Sequence, residues 1–550
     1  MHLRNLIYRQ QTILFFVLLF VLTLVLYYCN LQAFFVSDDF EWLAVSINRN
    51  PLNFFVTNYA GASQGGSFGP LVNLVYYLAY QWGRLNPLYY HLFSLFFHFA
   101  NIVLFYLVIK KLFSNKIAII SALLFTVYFN NAEVVAWIAA IPHLLSTFFF
   151  LLTIYSYLLF QEKQKIFIYG LSLVFFALAL LAKEIALSLP LVILLLSWIR
   201  DRQSKIYFNK KQVFYLVGAY LVVLLFYLYW RYQTTGILFG YYGRSQLDIN
   251  PKAYLENFYY LLLTFFSSGY FRIFLFSIIK NQLKIILPIS LLIGGGLIYI
   301  LRQKIKIILP YVLLFLVVLI PYLSLAPNPL NNEGERYVYL PALFLIPILA
   351  YFIARWHLAQ PRLLMFLLAL IFISSAYLLY QKNKIWSAAA QISENIVLEF
   401  GQKIDTQKDS EIYFVYLPDN LQGAQVLRNA VEQAIDLYYP DHKLKIKSLP
   451  IHVLLNKDNK AGDLFVWEKR DKANQFLGHT TNKEKLITGP QAAYYGEDLV
   501  FELWGYNYDT YLTDRIFFEL KDKLLEQSKD KSVYFLYYNQ GVLQILNDNI

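Results

Sequence analysis

The chain of 550 residues is 58% hydrophobic and 19% aromatic but only 15% charged, whereas a soluble protein carries about a quarter charged residues. That balance excludes a soluble globular enzyme and describes a polytopic membrane protein. A single cysteine, Cys29, excludes an intramolecular disulfide framework and a multi-cysteine metal site, while the net charge of +12 sits largely in short loops between apolar runs, where it sets orientation and argues against nucleic-acid binding.

A hydrocarbon core about 30 Å thick needs helical spans of about 20 residues. The first, TILFFVLLFVLTLVLYYC, follows Arg4 and Arg9 and lacks a small-residue cleavage site, so it reads as a retained anchor. Directly after it comes FFVSDDFEWLAV, with Asp38 and Asp39 adjacent, Glu41 close by and Trp42 beside it. Residues 71–84, LVNLVYYLAYQWGR, have the Tyr and Trp content of a helix lying in the outer interface. Counting 12–29 as the first, spans are expected at 12–29, 89–110, 117–134, 138–160, 166–182, 185–200, 213–232, 285–301, 307–325, 340–355 and 363–380, about eleven in all.

Residues 253–279 are also long and apolar enough to cross. A crossing there would break the alternation set by the basic loops, so an interfacial or re-entrant helix is expected instead. Those loops hold Lys110, Lys111 and Lys116; Lys163 and Lys165; Arg200, Arg202, Lys205, Lys210 and Lys211; Arg302, Lys304 and Lys306; and Arg355 and Arg362. The positive-inside rule puts them and the N-terminus in the cytoplasm. Asp38, Asp39, FNNAEVVAW and APNPLNNEG then face the other side, as does the C-terminus.

After about residue 382 charges of both signs appear, with the turn signals LPDN, YYPD and ITGP. Short β-rich runs (EIYFVYL, IHVLL, DLFVW, DLVFELW, SVYFLYY) alternate with helical patterns at 422–437 and 510–527. The expected organisation is a transmembrane domain over 1–385 and a small extracytoplasmic α/β domain over 386–550.

Eight scattered histidines include no HExxH pair, and no GxxxxGK[ST] loop occurs, which disfavours a zinc hydrolase and an ATP-driven pump. The remaining candidates are ionisable groups at the outer ends of spans. Asp38 and Asp39 read either as a solvated interfacial turn or as paired acids, one accepting a proton and the other holding a donor or a metal. Glu133, in NNAEVVAWIAA, sits near membrane depth, where an acid is usually functional or paired. Lys183 and Glu184 interrupt FFALALLAKEIALSLPLVILLL; the lysine reads as a cation for a phosphate or as an ordinary juxtamembrane charge. In NNEGERYVYLP, Glu333, Glu335 and Arg336 precede a span, and the arginine fork suits phosphate oxygens. Together these sites describe an outward-facing acidic centre with at least two cations, which suits transfer from a phosphate-linked lipid to an outside acceptor.

The acidic pair after the first span, followed by GPLVNLVYYL and GRLNPLYYHLFSLFFHFANIVLFYLV, resembles polyprenyl-phosphate-dependent glycosyltransferases of the GT-C type, in the protein O-mannosyltransferase branch. FNNAEVVAWIAAIPHLLSTFFFL, LLAKEIALSLPLVILLL and ERYVYLPALFLIPILA resemble further segments of that branch, so the resemblance covers roughly residues 10–385. It implies an inverting transfer: Asp38 acts as base on an acceptor hydroxyl, which attacks the anomeric carbon as lipid phosphate leaves. Lys183 and Arg336 would stabilise the leaving group, and Asp39 and Glu133 would orient acceptor or sugar hydroxyls. Glu184, Glu335 and Tyr337 would line the substrate site with them. His143 follows Pro142 where relatives often carry an acid, so substrate contacts there differ.

No tetratricopeptide array follows the membrane part. The α/β tail with LPDNLQGAQVLRNAVEQAI is similar to tails on bacterial members, which favours a multi-pass enzyme of the bacterial inner membrane and an undecaprenyl-phosphate donor. A protein, lipid or glycan could be the acceptor. No cofactor is required; paired acids can hold a divalent ion, which leaves metal dependence open. A flippase or ligase for lipid-linked glycans is one rival, although transport predicts charges deep within broken helices. A non-catalytic scaffold is the other, and it has no need of acids and bases gathered at one bilayer face.

Overall fold

A computed structural model describes residues 2–57, 68–203, 210–238, 250–300, 305–325, 333–356 and 361–455, and then 465–470, 474–480, 485–488, 493–496, 499–505, 512–521, 524, 526–527, 532–539 and 541–546. The chain divides into two compact units. The first comprises Met1–Gln32, Val45–Pro329 and Gly334–Asn383; the second comprises Ala33–Ala44, Leu330–Glu333 and Lys384–Ile550. Parts of the expected segment APNPLNNEG and of the basic loops, with Lys205, Arg302 and Lys304 among them, lie outside the described residues.

The first unit is helical. Among the described residues six helices are long and apolar enough to cross a membrane, or up to seven if one bent pair is a single span. The protein is therefore a multi-pass membrane protein. Proline opens the helices Pro70–Gly83, Pro87–Leu112 and Pro251–Phe266, where its missing N–H is not needed. Asn86 and Asn250 cap two of them, accepting from Leu88 N at 3.0 Å and from Lys252 N and Ala253 N at 3.1 and 3.2 Å.

Between membrane helices apolar contact distinguishes little between one face and another, so polar contacts fix which faces meet. His98 Nδ1 and Tyr339 Oη lie 2.8 Å apart, and Asn101 Nδ2 donates to Leu144 O at 3.0 Å and to Tyr339 Oη at 3.3 Å. These contacts tie Pro87–Leu112 to Ile141–Lys163 and Tyr339–Trp356.

Several elements depart from the expectations. Residues 117–134 form two helices, Asn115–Thr126 and Asn131–Ala136, because Asn130 and Asn131 turn the chain; Asn131 Nδ2 answers the end of the first helix by donating to Phe125 O at 2.7 Å. Residues 253–279 form Pro251–Phe266 and Gly269–Asn281 instead of one helix, broken at Ser267 and Ser268 with Gly269 at φ 64°. Phe274–Asn281 then meets Leu283–Gly296 at a bend of 100°. The segment expected over 363–380 continues as one helix, Pro361–Lys403, about 65 Å long at 1.5 Å per residue.

In the second unit the strand Ser410–Leu421 is buried along nearly its whole length, as the unbroken run EIYFVYL requires for a strand covered on both faces. It pairs in parallel with Val533–Asn539, Leu444–Ser448 and Ile451–Leu455. A second, antiparallel sheet centres on Arg515–Leu520 between Gln475–Thr480 and Leu499–Trp504. The helical pattern expected at 510–527 is thus corrected for 515–520: Ile516, Phe518 and Leu520 are buried while alternate residues are not, the period of a strand. The helix expected at 422–437 is confined to Val431–Tyr438. The acidic turn also forms a helix, Asp38–Ile47, with Asp38, Asp39 and Glu41 in its first turn, where the helix dipole favours them.

Gly401 packs against Tyr439, whose hydroxyl donates to Val397 O at 3.0 Å, and an added Cβ would overlap that ring. A Cβ added at Gly170 would meet nothing within 4 Å. Gly401→Ala is expected to destabilise the protein by about 1–3 kcal/mol through overpacking, whereas Gly170→Ala is neutral or stabilising by up to about 1 kcal/mol. Thermal unfolding of the detergent-solubilised variants measures both.

Candidate functional site

In the first unit the short helix Asn131–Ala136 and the 3-10 turn Glu335–Val338 bring Glu133 to Arg336. Glu133 forms an ion pair with the guanidinium through Oε1 and accepts the backbone N–H of Arg336 through Oε2 at 3.1 Å. The guanidinium also donates to Tyr337 Oη at 2.9 Å and lies over the rings of Trp137 and Tyr337, 5.0 and 4.6 Å from their centroids. His143, near the start of Ile141–Lys163, stacks on Tyr322 at 6.3 Å and approaches Tyr337 at 5.9 Å. Glu133, His143, Arg336 and Tyr337 therefore form one buried cluster.

Glu335, next in the chain to Arg336, turns to different partners. Lys382 Nζ donates to it at 2.6 Å and Arg272 lies 3.5 Å away. Lys382 also donates to Asn130 Oδ1 at 2.8 Å, so the turn before Asn131–Ala136 is tied to the same network. Arg272 is fully buried, in the helix Gly269–Asn281. A buried cation and a buried acid hold each other because either alone would be far costlier in low dielectric.

Lys183 breaks the chain out of Ile166–Ala182 in extended backbone, and Glu184 opens the turn Glu184–Ser188. Glu184 pairs with Arg231 at 2.5 Å, near the end of Lys210–Thr235. Burial pulls the Lys183 ammonium down to about 8; Glu184 opposes this, and the Arg336 and Arg231 charges add to it. Lys183 and Arg336 thus lie within electrostatic reach of each other.

In the second unit the paired acids differ. Asp39 is buried and its Oδ2 accepts the N–H of Val36 at 2.9 Å, which fixes the start of its own helix. Asp38 is half-buried, and its Oδ1 accepts from Asn429 Nδ2 at 2.6 Å. Burial, then the Asp38 charge, pushes the neighbouring Glu41 carboxyl up to about 7. Glu333 pairs with Arg428, which also binds Asp419.

Among the described residues no three His, Cys, Asp or Glu side chains gather as a metal site. Sequence reasoning missed Arg231, Arg272, Lys382, Arg428 and Asn429. The first two carried a signal: each is an isolated arginine in an apolar run, FYLYWRYQ and GYFRIFLF. The others sit in polar stretches and carried none.

Comparison with known proteins finds a family model, dolichyl-phosphate-mannose-protein mannosyltransferase, that matches residues 72–230. The protein O-mannosyl-transferase TMTC3 of Homo sapiens is 31% identical over 140 residues, 24% of this chain and 15% of that protein. Its Mus musculus counterpart is 29% identical over the same shares. The match thus spans about a seventh of those relatives' length. Among solved structures, ArnT from Cupriavidus metallidurans bound to undecaprenyl phosphate has a TM-score of 0.43 at 13% identity, covering 81% of this chain and 93% of that one. The Archaeoglobus fulgidus oligosaccharyltransferase has a TM-score of 0.38 at 11% identity, covering 80% and 67%. Residues 72–230, which hold Glu133, His143, Lys183 and Glu184, are thus the part of the chain that is similar to the dolichyl-phosphate-mannose-protein mannosyltransferases.

Proposed function

We propose that the protein is an inverting membrane glycosyltransferase that moves a sugar from a polyprenyl-phosphate donor to an acceptor hydroxyl on the extracytoplasmic face. The observation that carries this reading is the family match over 72–230, because that segment contains Glu133 and Lys183, whose charges join Arg336 in the first unit. The family description names dolichyl-phosphate-mannose, a sugar on a lipid phosphate, and a donor of that class leaves as an anion that cations must meet.

In this reading residues 1–385 form the transferase domain and 386–550 an extracytoplasmic domain, with the N-terminus in the cytoplasm of a bacterial cell and about eleven spans. Asp38 removes the proton of the acceptor hydroxyl. The hydroxyl oxygen forms the new bond to the anomeric carbon while the bond from that carbon to the phosphate oxygen breaks, and the lipid phosphate takes the electron pair. Lys183 and Arg336 meet the charge that grows on that oxygen. Glu133 keeps the Arg336 fork in one orientation, with Tyr337 below it, so little reorganisation is needed as charge develops. Glu184 and Glu335 hold neighbouring cations, Asp39 sets the helix start that carries Asp38, and His143 stands close to the Arg336 cluster as a substrate contact.

Asp38→Asn is expected to lower sugar transfer by about 10²–10⁴-fold with unchanged membrane insertion, measured with purified polyprenyl-phosphate sugar in proteoliposomes. Transfer at the wild-type rate would remove Asp38 from the mechanism.

Lys183 must be protonated to meet a phosphate. With its ammonium titrating at about 8, the charge is present below that pH and lost above it, so kcat/KM for the donor falls as pH rises through about 8. Lys183→Arg keeps the charge and moves this basic limb to higher pH. Lys183→Ala and Arg336→Ala each lower kcat/KM for the donor by about 10²–10³-fold. A pH profile unchanged in Lys183→Arg would show that another group sets the limb.

A further inference from the structure

The segment Ala33–Ala44 that carries Asp38 packs with the C-terminal part of the chain as one unit. The residue that holds the Asp38 carboxylate comes from that C-terminal part. Asn429 Nδ2 donates to Asp38 Oδ1 at 2.6 Å across 391 residues of sequence, and Asn429 Oδ1 accepts from Ser37 Oγ. One amide thus grips two consecutive residues of the acidic turn. Its orientation is fixed by chemistry, since an ionised carboxylate only accepts and must face the NH₂ end.

The turn that carries Asn429 is itself held. Val426 N and Leu427 N each donate at 3.0 Å, to Asp419 O and Pro418 O of the strand Ser410–Leu421, and Ser37 N donates to Val426 O at 3.0 Å. Arg428, next to Asn429, binds both Asp419 oxygens at 2.8 Å and also pairs with Glu333. The Arg428 charge overcomes the burial of Asp419 and holds that carboxyl below its ordinary value. On the other side, Ser393 Oγ donates to Phe35 O at 2.8 Å and the Phe34 ring lies 5.2 Å from Tyr438. Ser37, within the grip, and Ala430, directly after Asn429, have left-handed backbones at φ 45° and 63°. Residues with a Cβ adopt that conformation where the surroundings over-determine it.

We infer that Asn429 is a positioning residue for Asp38, so that the C-terminal α/β unit forms part of the transferase machinery by orienting its base. The inference rests on the reading of Asp38 as that base. A base that attacks through one oxygen gains from having the other tethered, because a shift of about 1 Å at the proton acceptor costs about 10²-fold in rate.

Asn429→Asp is close to isosteric and still accepts from Ser37, but it removes the amide donor and sets a second carboxylate against Asp38. It is expected to lower kcat for transfer by ten- to a hundredfold with donor KM within twofold of wild type. Asn429→Ala, which removes the grip without adding charge, gives a kcat loss of the same kind if the aspartate variant does not fold. The exchange Asp38→Asn with Asn429→Asp restores an amide–carboxylate hydrogen bond with its ends reversed. Its melting temperature returns towards wild type, which assigns any folding defect of the single variants to that hydrogen bond, while transfer stays lost because the base is gone. The readout specific to positioning is the kcat loss of a folded Asn429 variant at unchanged donor KM. Asn429→Asp or Asn429→Ala with wild-type kcat, beside an inactive Asp38→Asn, overturns the inference and leaves the function standing. Full transfer by Asp38→Asn overturns both.

Discussion

The ion pair of Glu133 with Arg336 is the constraint on which the first unit's site depends. Both side chains are buried, and they stand 203 residues apart in the chain. A guanidinium removed from water keeps its charge, so the fold must supply an acceptor or lose several kcal/mol. Glu133 answers twice, to the side chain and to the backbone N–H of the same residue. That second bond matters for geometry: it fixes the start of the turn Glu335–Val338 as well as the fork it presents. Two aromatic faces, Trp137 and Tyr337, then occupy the positions from which water would otherwise solvate the cation.

Adjacent residues of that turn look in different directions, and this makes the turn a junction. Glu335 reaches Lys382 and Arg272 while Arg336 reaches Glu133. Lys382 returns to Asn130 at the head of the helix that carries Glu133. The loop of contacts closes through Asn130, Glu133, Arg336, Glu335 and Lys382. In a membrane protein, where helix faces gain little from apolar contact alone, such a closed polar circuit specifies which elements meet. Removing one acid would strand a buried cation, so the members stand or fall together.

How much of this was legible in the sequence follows the range of the forces involved. Apolar runs are local, and the helices Pro87–Leu112, Ile166–Ala182 and Tyr339–Trp356 lie where hydropathy put them. The acids at the span ends were also visible, because a charge beside twenty apolar residues is conspicuous. Which cation each acid would meet was not, since Glu133 and Arg336, or Glu335 and Lys382, are matched only by tertiary packing. The breaks at Asn130 and Ser267 escaped for a related reason: both fall in apolar surroundings, and the side chains that satisfy the freed backbone groups act across short turns. RIFFEL was misread because LKDKLLEQ after it has helical character; pairing with the strands on either side decided its period.

The adjacent acids of the first hairpin show why neighbours in sequence need not share a task. Asp39 is buried and its carboxylate accepts the N–H of Val36, so it takes part in the backbone's own hydrogen bonding at the helix start. Asp38, one residue earlier in the same helical start, is half-buried, with one oxygen held by an amide from far along the chain. A step of about 100° around the helix axis separates two consecutive residues, and that rotation gives the two carboxylates different partners. One acid of the pair is therefore tied to its own helix start and the other to a residue far along the chain. A doubled Asp is the shortest sequence that supplies both.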